Sequence, residues 1–253
     1  MTTLASHRDQ DALHLTLRRP AARNALDPAL VQALTAVFQR LPAGIRRVVL
    51  RGDGPVFCAG ADLAWMARGA QDGEGPEHLL PPLLEAIDHA EVVVIALVHG
   101  AAMGGGIGLL ACCDAVVADQ ATQFGLVEAR LGLVPAIIAP AVVGRMGASW
   151  ARYYFTTGQV FGAAEAHRLG LVHHVAADPA AAEALVAGAW ADSIARCGPR
   201  AIAEAKAVVR DVVGVPDGAV RERLAGRLAR LRAGDEAQEG IRALRERRAP
   251  RWP

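Results

Sequence analysis

Three consecutive glycines at residues 104–106, with a fourth at Gly108, follow a strongly apolar run in this chain. They belong to the stretch HGAAMGGGIGLLACCDAVVA (99–118), and VVVIALV (92–98) precedes it. A glycine inside a regular element costs about 0.5–1 kcal/mol relative to alanine. The run therefore predicts a turn between a buried strand and a buried helix, at which another group approaches the backbone closely.

Strands and helices alternate along the first part of the chain. Alternating leucines predict one strand, and short apolar runs predict four more, at 13–17, 46–52, 92–98, 114–118 and 171–175. Asp27 followed by Pro28 is typical of a helix start, because Asp caps the helix and Pro fits its first turn. The segment AAEAHRL (163–169) predicts a short helix that stops at Gly170. This alternation indicates an α/β fold.

Only helical signals remain after about residue 178. They predict helix starts near Asp178, Pro199, Pro216 and Asp235. We therefore expect an α/β core with the substrate site over residues 1–195 and an all-helical region over 196–253. Such a region is expected to pack on a neighbouring subunit, and a cap on its own core is the alternative.

Composition and charge exclude several classes of protein. Of the 253 residues 53% are hydrophobic and the formal net charge is +1, which gives no general attraction to nucleic acid or membrane. The N-terminus MTTLASHRDQ has no apolar run that resembles a signal peptide. The longest apolar stretch, residues 131–144, is too short for a bilayer and contains two prolines. We expect a cytoplasmic protein.

The cysteines and histidines show no metal-binding spacing. The four cysteines include no CxxC pair and are interpreted as buried free thiols: Cys58, Cys112, Cys113 and Cys197. His99, His173 and His174 match no metal-binding spacing and are interpreted as structural. We therefore expect no metal site.

The glycine turn admits several ligands. A Walker A phosphate loop is excluded, because no Lys-Ser/Thr follows the last glycine. A dinucleotide fingerprint fits minimally as Gly106-x-Gly108-x-x-Ala111 with Glu128 about 20 residues on, but it does not follow the first strand. A second glycine-flanked helix start in CAGADL (58–63) allows two N–H donors to converge on one oxyanion. Close packing of helix on strand is the alternative explanation of both turns, and the residues alone favour it.

Several motifs, in their order and spacing, resemble the crotonase superfamily, the enoyl-CoA hydratases and isomerases. The C-terminal EGIRALRERRAPRW (239–252) is similar to that family's usual ending. The resemblance implies a superhelix of strand–strand–helix turns with a helical C-terminal region that mediates trimers or hexamers. The motifs that carry it are RPAARNAL (19–26), VVLRGDGPVFCAGADL (48–63), the glycine stretch and FGLVEARLGLVP (124–135).

The resemblance also implies a set of site residues. The backbone N–H groups of Ala61 and Gly105 would bind the thioester carbonyl of an acyl-CoA, and Glu128 would act as general acid and base. Coenzyme A is then part of the substrate, and no separate cofactor is expected. The path of the adenosine and pantetheine would be lined by Ala25, Ala59, Asp62 and Leu63, and the phosphates would meet Arg23 and Arg247.

One carboxylate of the family pattern is missing. Family hydratases usually carry a glutamate two residues after the glycine triplet, and this chain has Gly108 there, which by the same resemblance is expected to contact the substrate. The resemblance therefore implies hydration of an enoyl-CoA with one glutamate, and a Δ3-Δ2-enoyl-CoA isomerase or a non-catalytic acyl-CoA-binding protein is the alternative. The motifs look most like a bacterial methylglutaconyl-CoA hydratase-like subgroup of leucine and acyclic terpene breakdown. We expect residues 64–82 to shape the acyl pocket.

Overall fold

The computed structural model describes residues 2–212 and 218–252. Two sheets are formed by nine strands in these ranges, namely β1 (Leu4–Asp9), β2 (Ala12–Leu17), β3 (Arg47–Gly52), β4 (Val93–Val98), β5 (Ala101–Met103), β6 (Ala115–Asp119), β7 (Gln123–Gly125), β8 (Val160–Gly162) and β9 (His174–Ala176). The larger sheet has the order β1-β2-β3-β4-β6-β9, and the smaller has β5-β7-β8. All neighbours are parallel except β1 with β2 and β7 with β8.

Eleven helices lie in the described ranges. They are α1 (Pro28–Gln39), α2 (Leu63–Asp72), α3 (Pro76–Asp88), α4 (Gly105–Cys112), α5 (Ala139–Thr157), α6 (Ala163–Arg168), α7 (Pro179–Leu185), α8 (Ala191–Ala195), α9 (Pro199–Val212), α10 (Gly218–Ala233) and α11 (Asp235–Arg245). A π-helical turn, Val186–Trp190, joins α7 to α8. The prediction of helices throughout the C-terminal region is confirmed, although the predicted start near Pro216 lies outside the described residues.

The predicted superhelix is confirmed by the order of the elements. A strand of the larger sheet, β4, leads into a strand of the smaller sheet, β5, and then into α4; β6, β7 and α5 repeat this order. A parallel bridge between Cys58 and Ala102 extends the second layer to the turn before α2. Each repeat thus brings a backbone turn and a helix start to the same side of the core.

The core explains why these segments fold as they do. The leucines of β2 are fully or almost fully buried, as their alternation predicts, and the central strands β3, β4 and β6 are buried on both faces. Asp27 caps α1, since its side chain accepts a hydrogen bond from the Leu30 amide at 2.8 Å. The run 171–175 becomes strand only from His174 onward.

Polar side chains tie the C-terminal helices to the core. Lys206 in α9 forms an ion pair with Asp114 at 2.7 Å and donates to the Val92 carbonyl oxygen at 3.1 Å. Within the C-terminal region itself, the buried Glu239 of α11 forms an ion pair with Arg248 at 2.7 Å and accepts a hydrogen bond from the Arg251 amide at 2.8 Å. The division at residues 195 and 196 stays a prediction. None of the helices in the described part of the chain is both long enough and apolar enough to cross a bilayer.

Candidate active site

Two backbone turns meet where the glycine run begins. Gly60 has φ +97°, and a Cβ on it would lie 3.6 Å from the Gly105 nitrogen. A Cβ on Gly105 would in turn lie 3.5 Å from the Ala61 nitrogen. Gly60 and Gly105 therefore allow two chain segments to approach each other closely, and Gly105 is also the first residue of α4.

The amides of Ala61 and Gly105 are both unused. Leu26 donates its N–H to the Gly60 oxygen and accepts from the Asp62 N–H, so the Ala61 amide between them points away from this bridge. Gly105 is the first residue of α4, and its N–H has no partner within the helix. Neither amide has a hydrogen-bond acceptor among the residues that the structure describes. They form a pair of free donors at a helix start.

Glu128 lies over the glycine turn. It begins a 3-10 turn, Glu128–Leu131, directly after the segment that follows β7. Its Oε1 is 2.9 Å from the point that a Cβ on Gly104 would occupy, and the positive φ of Gly104 (+46°) suits glycine. Its Oε2 is buried and has no hydrogen-bond partner in the described chain. Burial raises the pKa of this carboxyl, because the charged form is desolvated.

A mainly apolar cavity of about 320 Å³ adjoins these groups. Residues from 64–82, from the turn after Glu128 and from the start of α5 form its walls, so the expectation that 64–82 shapes the acyl pocket fits this geometry. The charged side chains on the walls are Glu77 and Glu128. The other lining residues are Ala61, Met66, Gly69, Gly75, Pro76, Leu80, Gly105, Leu133, Val134, Pro135, Ala136, Ile137 and Ile138.

A second cavity of about 480 Å³ shares Ala61, Gly105 and Glu128 with the first. These three residues therefore lie at the junction of the two cavities. The second cavity contains the residues that the sequence predicted for the nucleotide path. Those residues are Ala25, Ala59, Asp62 and Leu63.

Asp62 has a structural task as well. Its Oδ1 accepts hydrogen bonds from the amides of Ala64 and Trp65, which caps α2, and its Oδ2 accepts from Arg19 at 3.0 Å. Burial alone would raise the pKa of Asp62, but the bonds from Trp65 and Arg19 outweigh it and hold the pKa below its ordinary value. Its carboxylate is thus committed to the α2 start.

Sequence reasoning missed the polar side chain that fixes this turn. Asn24 is fully buried at φ +53°, donates to the carbonyl oxygens of Asp53 and Val56 at 2.8 Å, and accepts from the Arg19 amide at 2.9 Å. An Asn before an apolar residue at the end of RPAARNAL is the only signal in the sequence. Asn24 connects this segment to the turn that leads to Ala61.

Gly108 lies behind the wall of the acyl cavity and lines neither cavity. A Cβ on Gly108 would lie 3.0 Å from the Cβ of Ile138, and Ile138 itself faces the cavity. The side chain of Ile138 thus occupies the space that a longer residue at 108 would enter. The resemblance implied a missing carboxylate at Gly108, and the structure has the apolar side chain of Ile138 against this glycine.

Arg23 and Arg247 are not among the lining residues of either cavity. Each is exposed and has a positive φ, +51° and +52°. The structure brings neither guanidinium to the junction at Glu128. Their predicted contact with phosphates stays a prediction.

The cysteines and histidines lie outside the junction. All four cysteines are free, and Cys58, Cys112 and Cys113 are buried as predicted, but Cys197 is exposed just after α8. The prediction of burial was wrong for Cys197, because the chain leaves the core there. His99 contacts the Gly54 carbonyl oxygen at 2.8 Å. His173 and His174 are exposed, and His173 Nδ1 accepts a hydrogen bond from the Val116 amide at 3.0 Å.

Comparisons with known proteins show which family this chain resembles. The family model for enoyl-CoA hydratase/isomerase matches residues 8–253. A putative enoyl-CoA hydratase of Thermus thermophilus is 34% identical over 93% of this chain and 95% of its own. The 2,3-dehydroadipyl-CoA hydratase of Escherichia coli is 34% identical over 99% and 98%. The solved structure of Pseudomonas aeruginosa AtuE has 38% identity and a TM-score of 0.92, with 98% of each chain covered.

These likenesses extend over almost the whole chain and include both turns and the Glu128 segment. The predicted fold and the predicted class, an enoyl-CoA hydratase or isomerase, are confirmed. The chain belongs to the enoyl-CoA hydratase/isomerase (crotonase) family.

Proposed function

We propose that the protein adds water across the Cα=Cβ bond of an enoyl-CoA thioester. One observation carries this proposal: the unpartnered carboxylate oxygen of Glu128 lies at the junction of two cavities beside the free amides of Ala61 and Gly105. The amides suit a thioester oxygen that gains negative charge, and the carboxylate suits the transfer of a proton.

The proposed reaction uses one carboxylate for both proton transfers. Glu128 takes a proton from water as the oxygen attacks Cβ, and the electron pair of the double bond moves through Cα to the thioester oxygen. Ala61 and Gly105 hold the resulting enolate through their N–H groups. The enolate then re-forms the carbonyl while Cα takes the proton back from Glu128. The raised pKa of Glu128 favours this return step, since a protonated carboxyl is the donor.

A second candidate is a Δ3-Δ2-enoyl-CoA isomerase. The specific observation in its favour is Ile138, whose apolar side chain fills the space where the family pattern would place another glutamate beside Gly108. Isomerisation needs only one base, which removes a proton from one carbon and returns it to another. The same amides would stabilise the intermediate dienolate.

The substitution Glu128→Gln tests the proposed chemistry. It keeps size and polarity but removes proton transfer, which is worth roughly 10²–10⁴ in rate. We expect loss of crotonyl-CoA hydration by at least 100-fold, while the Kd of butyryl-CoA changes by less than about tenfold. Unchanged hydration in this variant would refute the mechanism, and thioester binding without any turnover in the parent would indicate a non-catalytic binding protein.

Product analysis in deuterated water separates the two enzymatic candidates. A hydratase yields a 3-hydroxyacyl thioester with deuterium at Cα. An isomerase yields a shifted double bond and no gain of water. A 3-enoyl-CoA and a 2-enoyl-CoA of equal length, given to the same preparation, provide the comparison.

We also propose that the chain assembles into trimers or hexamers. Apolar side chains on the C-terminal helices support this, since Val209 is 62%, Leu228 66% and Leu244 80% exposed. Light scattering at micromolar concentration would refute it by showing a stable monomer. The cytoplasmic location, the phosphate contacts of Arg23 and Arg247, and the lack of a separate cofactor stay predictions.

A further inference from the structure

We infer that the acyl group of the substrate is uncharged and apolar beyond the reacting carbons, and that an acyl chain ending in a carboxylate is rejected. This inference rests on the proposed function, because it concerns the cavity beside Glu128. It narrows the substrate class and runs against the methylglutaconyl-like substrate expected from the sequence, whose acyl group ends in a carboxylate.

The walls of the acyl cavity carry this inference. Side chains of Met66, Leu80, Leu133, Val134 and Ile138 line it, and Leu80 and Ile138 are each only 3% exposed. A carboxylate that enters such a wall loses its water and gains no hydrogen-bond donor from these side chains. A methyl or methylene group gains from the same burial.

The charges on the walls have the wrong sign for an acidic ligand. Glu77 and Glu128 are the charged residues that line the cavity in the described chain, and no arginine, lysine or histidine there faces it. The Oε2 of Glu128 is buried, whereas the Glu77 side chain is 57% exposed and its Oε1 lies 3.9 Å from His78 Nε2. A terminal carboxylate in the cavity therefore meets two acidic side chains and no positive one on the walls. A terminal carboxylate would have to be protonated or leave the cavity.

Apart from the amides of Ala61 and Gly105, which would bind the thioester oxygen, the start of α3 is a second helix N-terminus on the cavity wall, and a carboxylate of the protein already lies there. A helix N-terminus favours negative charge. Its first residue, Pro76, has no N–H to offer. The carboxylate of Glu77 folds back towards Gly75, so that its Oε1 lies 2.6 Å from the point that a Cβ on Gly75 would occupy. The negative charge of Glu77 therefore already lies at the N-terminus of α3.

Ile138 decides how deep the apolar wall extends. Its side chain covers Gly108, and Leu84 lies behind the same glycine. A glutamate at position 108 would have added a third negative charge, and this chain has an apolar floor instead. The same contact that removes the second carboxylate therefore favours an apolar acyl chain.

Isothermal titration with saturated thioesters tests this inference. Hexanoyl-CoA and adipoyl-CoA have equal chain lengths and differ in a terminal methyl against a carboxylate, and butyryl-CoA shares their thioester and nucleotide. We expect hexanoyl-CoA to bind about tenfold more tightly than butyryl-CoA, because two further methylenes are buried. Adipoyl-CoA should bind at least about 100-fold more weakly than hexanoyl-CoA.

A variant at the cavity mouth adds a positive charge. Val134 lines the cavity but is 76% exposed, so an arginine there remains hydrated in the absence of ligand. Val134→Arg should reduce the preference for hexanoyl-CoA over adipoyl-CoA from about 100-fold to below about tenfold. The matched control Val134→Gln, polar but uncharged, should leave that preference above about 30-fold.

The outcomes separate this inference from the proposed function. Adipoyl-CoA that binds the parent as tightly as hexanoyl-CoA would overturn the inference and leave the proposed function standing. Failure of all three thioesters to bind would overturn both. Equal preferences in the arginine and glutamine variants would show that charge does not set the selectivity, which also overturns the inference.

Discussion

Gly105→Ala is the substitution that separates stability from catalysis most clearly in this fold. Gly105 begins α4 and has no positive φ, so alanine fits its backbone. The new methyl would meet Leu26 Cδ1 at 3.3 Å, and the end of a leucine side chain can move by the few tenths of an ångström required. The helix gains up to about 1 kcal/mol from the better helix former. We expect the free energy of unfolding to change by less than about 1 kcal/mol.

The same methyl reaches the space between the two free amides. It would lie 3.5 Å from the Ala61 nitrogen, where a thioester oxygen must come within 2.7–3.1 Å of both donors. Loss of one such donor typically costs 10²–10³ in rate. We therefore expect kcat/KM for crotonyl-CoA to fall by at least about 100-fold, which corresponds to about 2.7 kcal/mol at the transition state.

The assay needs a matched glycine-to-alanine control. Gly144 in α5 is exposed, and a Cβ there meets no atom within 4 Å. Gly144→Ala should leave turnover unchanged and raise the free energy of unfolding by up to about 1 kcal/mol, as followed by enoyl absorbance and urea denaturation. A Gly105→Ala protein with parental kcat/KM would refute the convergence of the two amides on the substrate oxygen. A Gly105→Ala protein that fails to fold would contradict the packing argument.

Three further predictions concern the same region. Burial raises the pKa of Glu128, so the charged form of this carboxyl destabilises the folded state at any pH above the pKa that Glu128 has in the unfolded chain. Glu128→Gln should therefore raise Tm at neutral pH. This gain should vanish as the pH falls below the pKa of Glu128 in the unfolded chain. A gain that persists in acid would contradict it. Asn24→Ala removes three buried hydrogen bonds and should lower the free energy of unfolding by at least about 2 kcal/mol in urea titration, whereas a loss under 1 kcal/mol would disprove its role. Gly108→Glu should cost about 1–3 kcal/mol because it collides with Ile138, and adding Ile138→Ala should restore part of this; a single variant as stable as the parent would count against the contact.

Local signals in the sequence predicted the elements that bury large apolar surfaces. The alternation in β2, the apolar runs of β3 and β4, and the Asp27 cap of α1 all act over a few residues, so they are visible in the chain itself. The strand β1 was missed, because most of its side chains are polar and exposed at the sheet edge. The three-residue strands β5, β7 and β8 were missed as well, since such short segments show no periodicity.

In the candidate site, too, the features with a local sequence signal were predictable, and those that depend on the folded chain were not. Turns at Gly60 and Gly105 were predictable, because glycine is required there by the local backbone and the close approach of two segments. The lining of the acyl cavity was predictable only in part: Met66 and Leu80 lie in the segment 64–82 that was expected to shape it, but Ile138 joins them only in the fold. Their apolar character is common to any core helix.

Gly108 shows why an absent side chain is difficult to interpret from sequence. The glycine alone is compatible with an empty pocket, a larger substrate or a repacked wall, and these differ in chemistry. Ile138, thirty positions further along the chain, decides among them, because its side chain stands against Gly108 and faces the cavity. Gly108 leaves the site without a second carboxylate that could hold water, and the Ile138 side chain supplies an apolar surface in its place. The number of bases available to the reaction and the polarity of the acyl group it accepts are therefore coupled through this contact: a smaller residue at 138 should change the acyl preference alone, and only its combination with Gly108→Glu should add a second base.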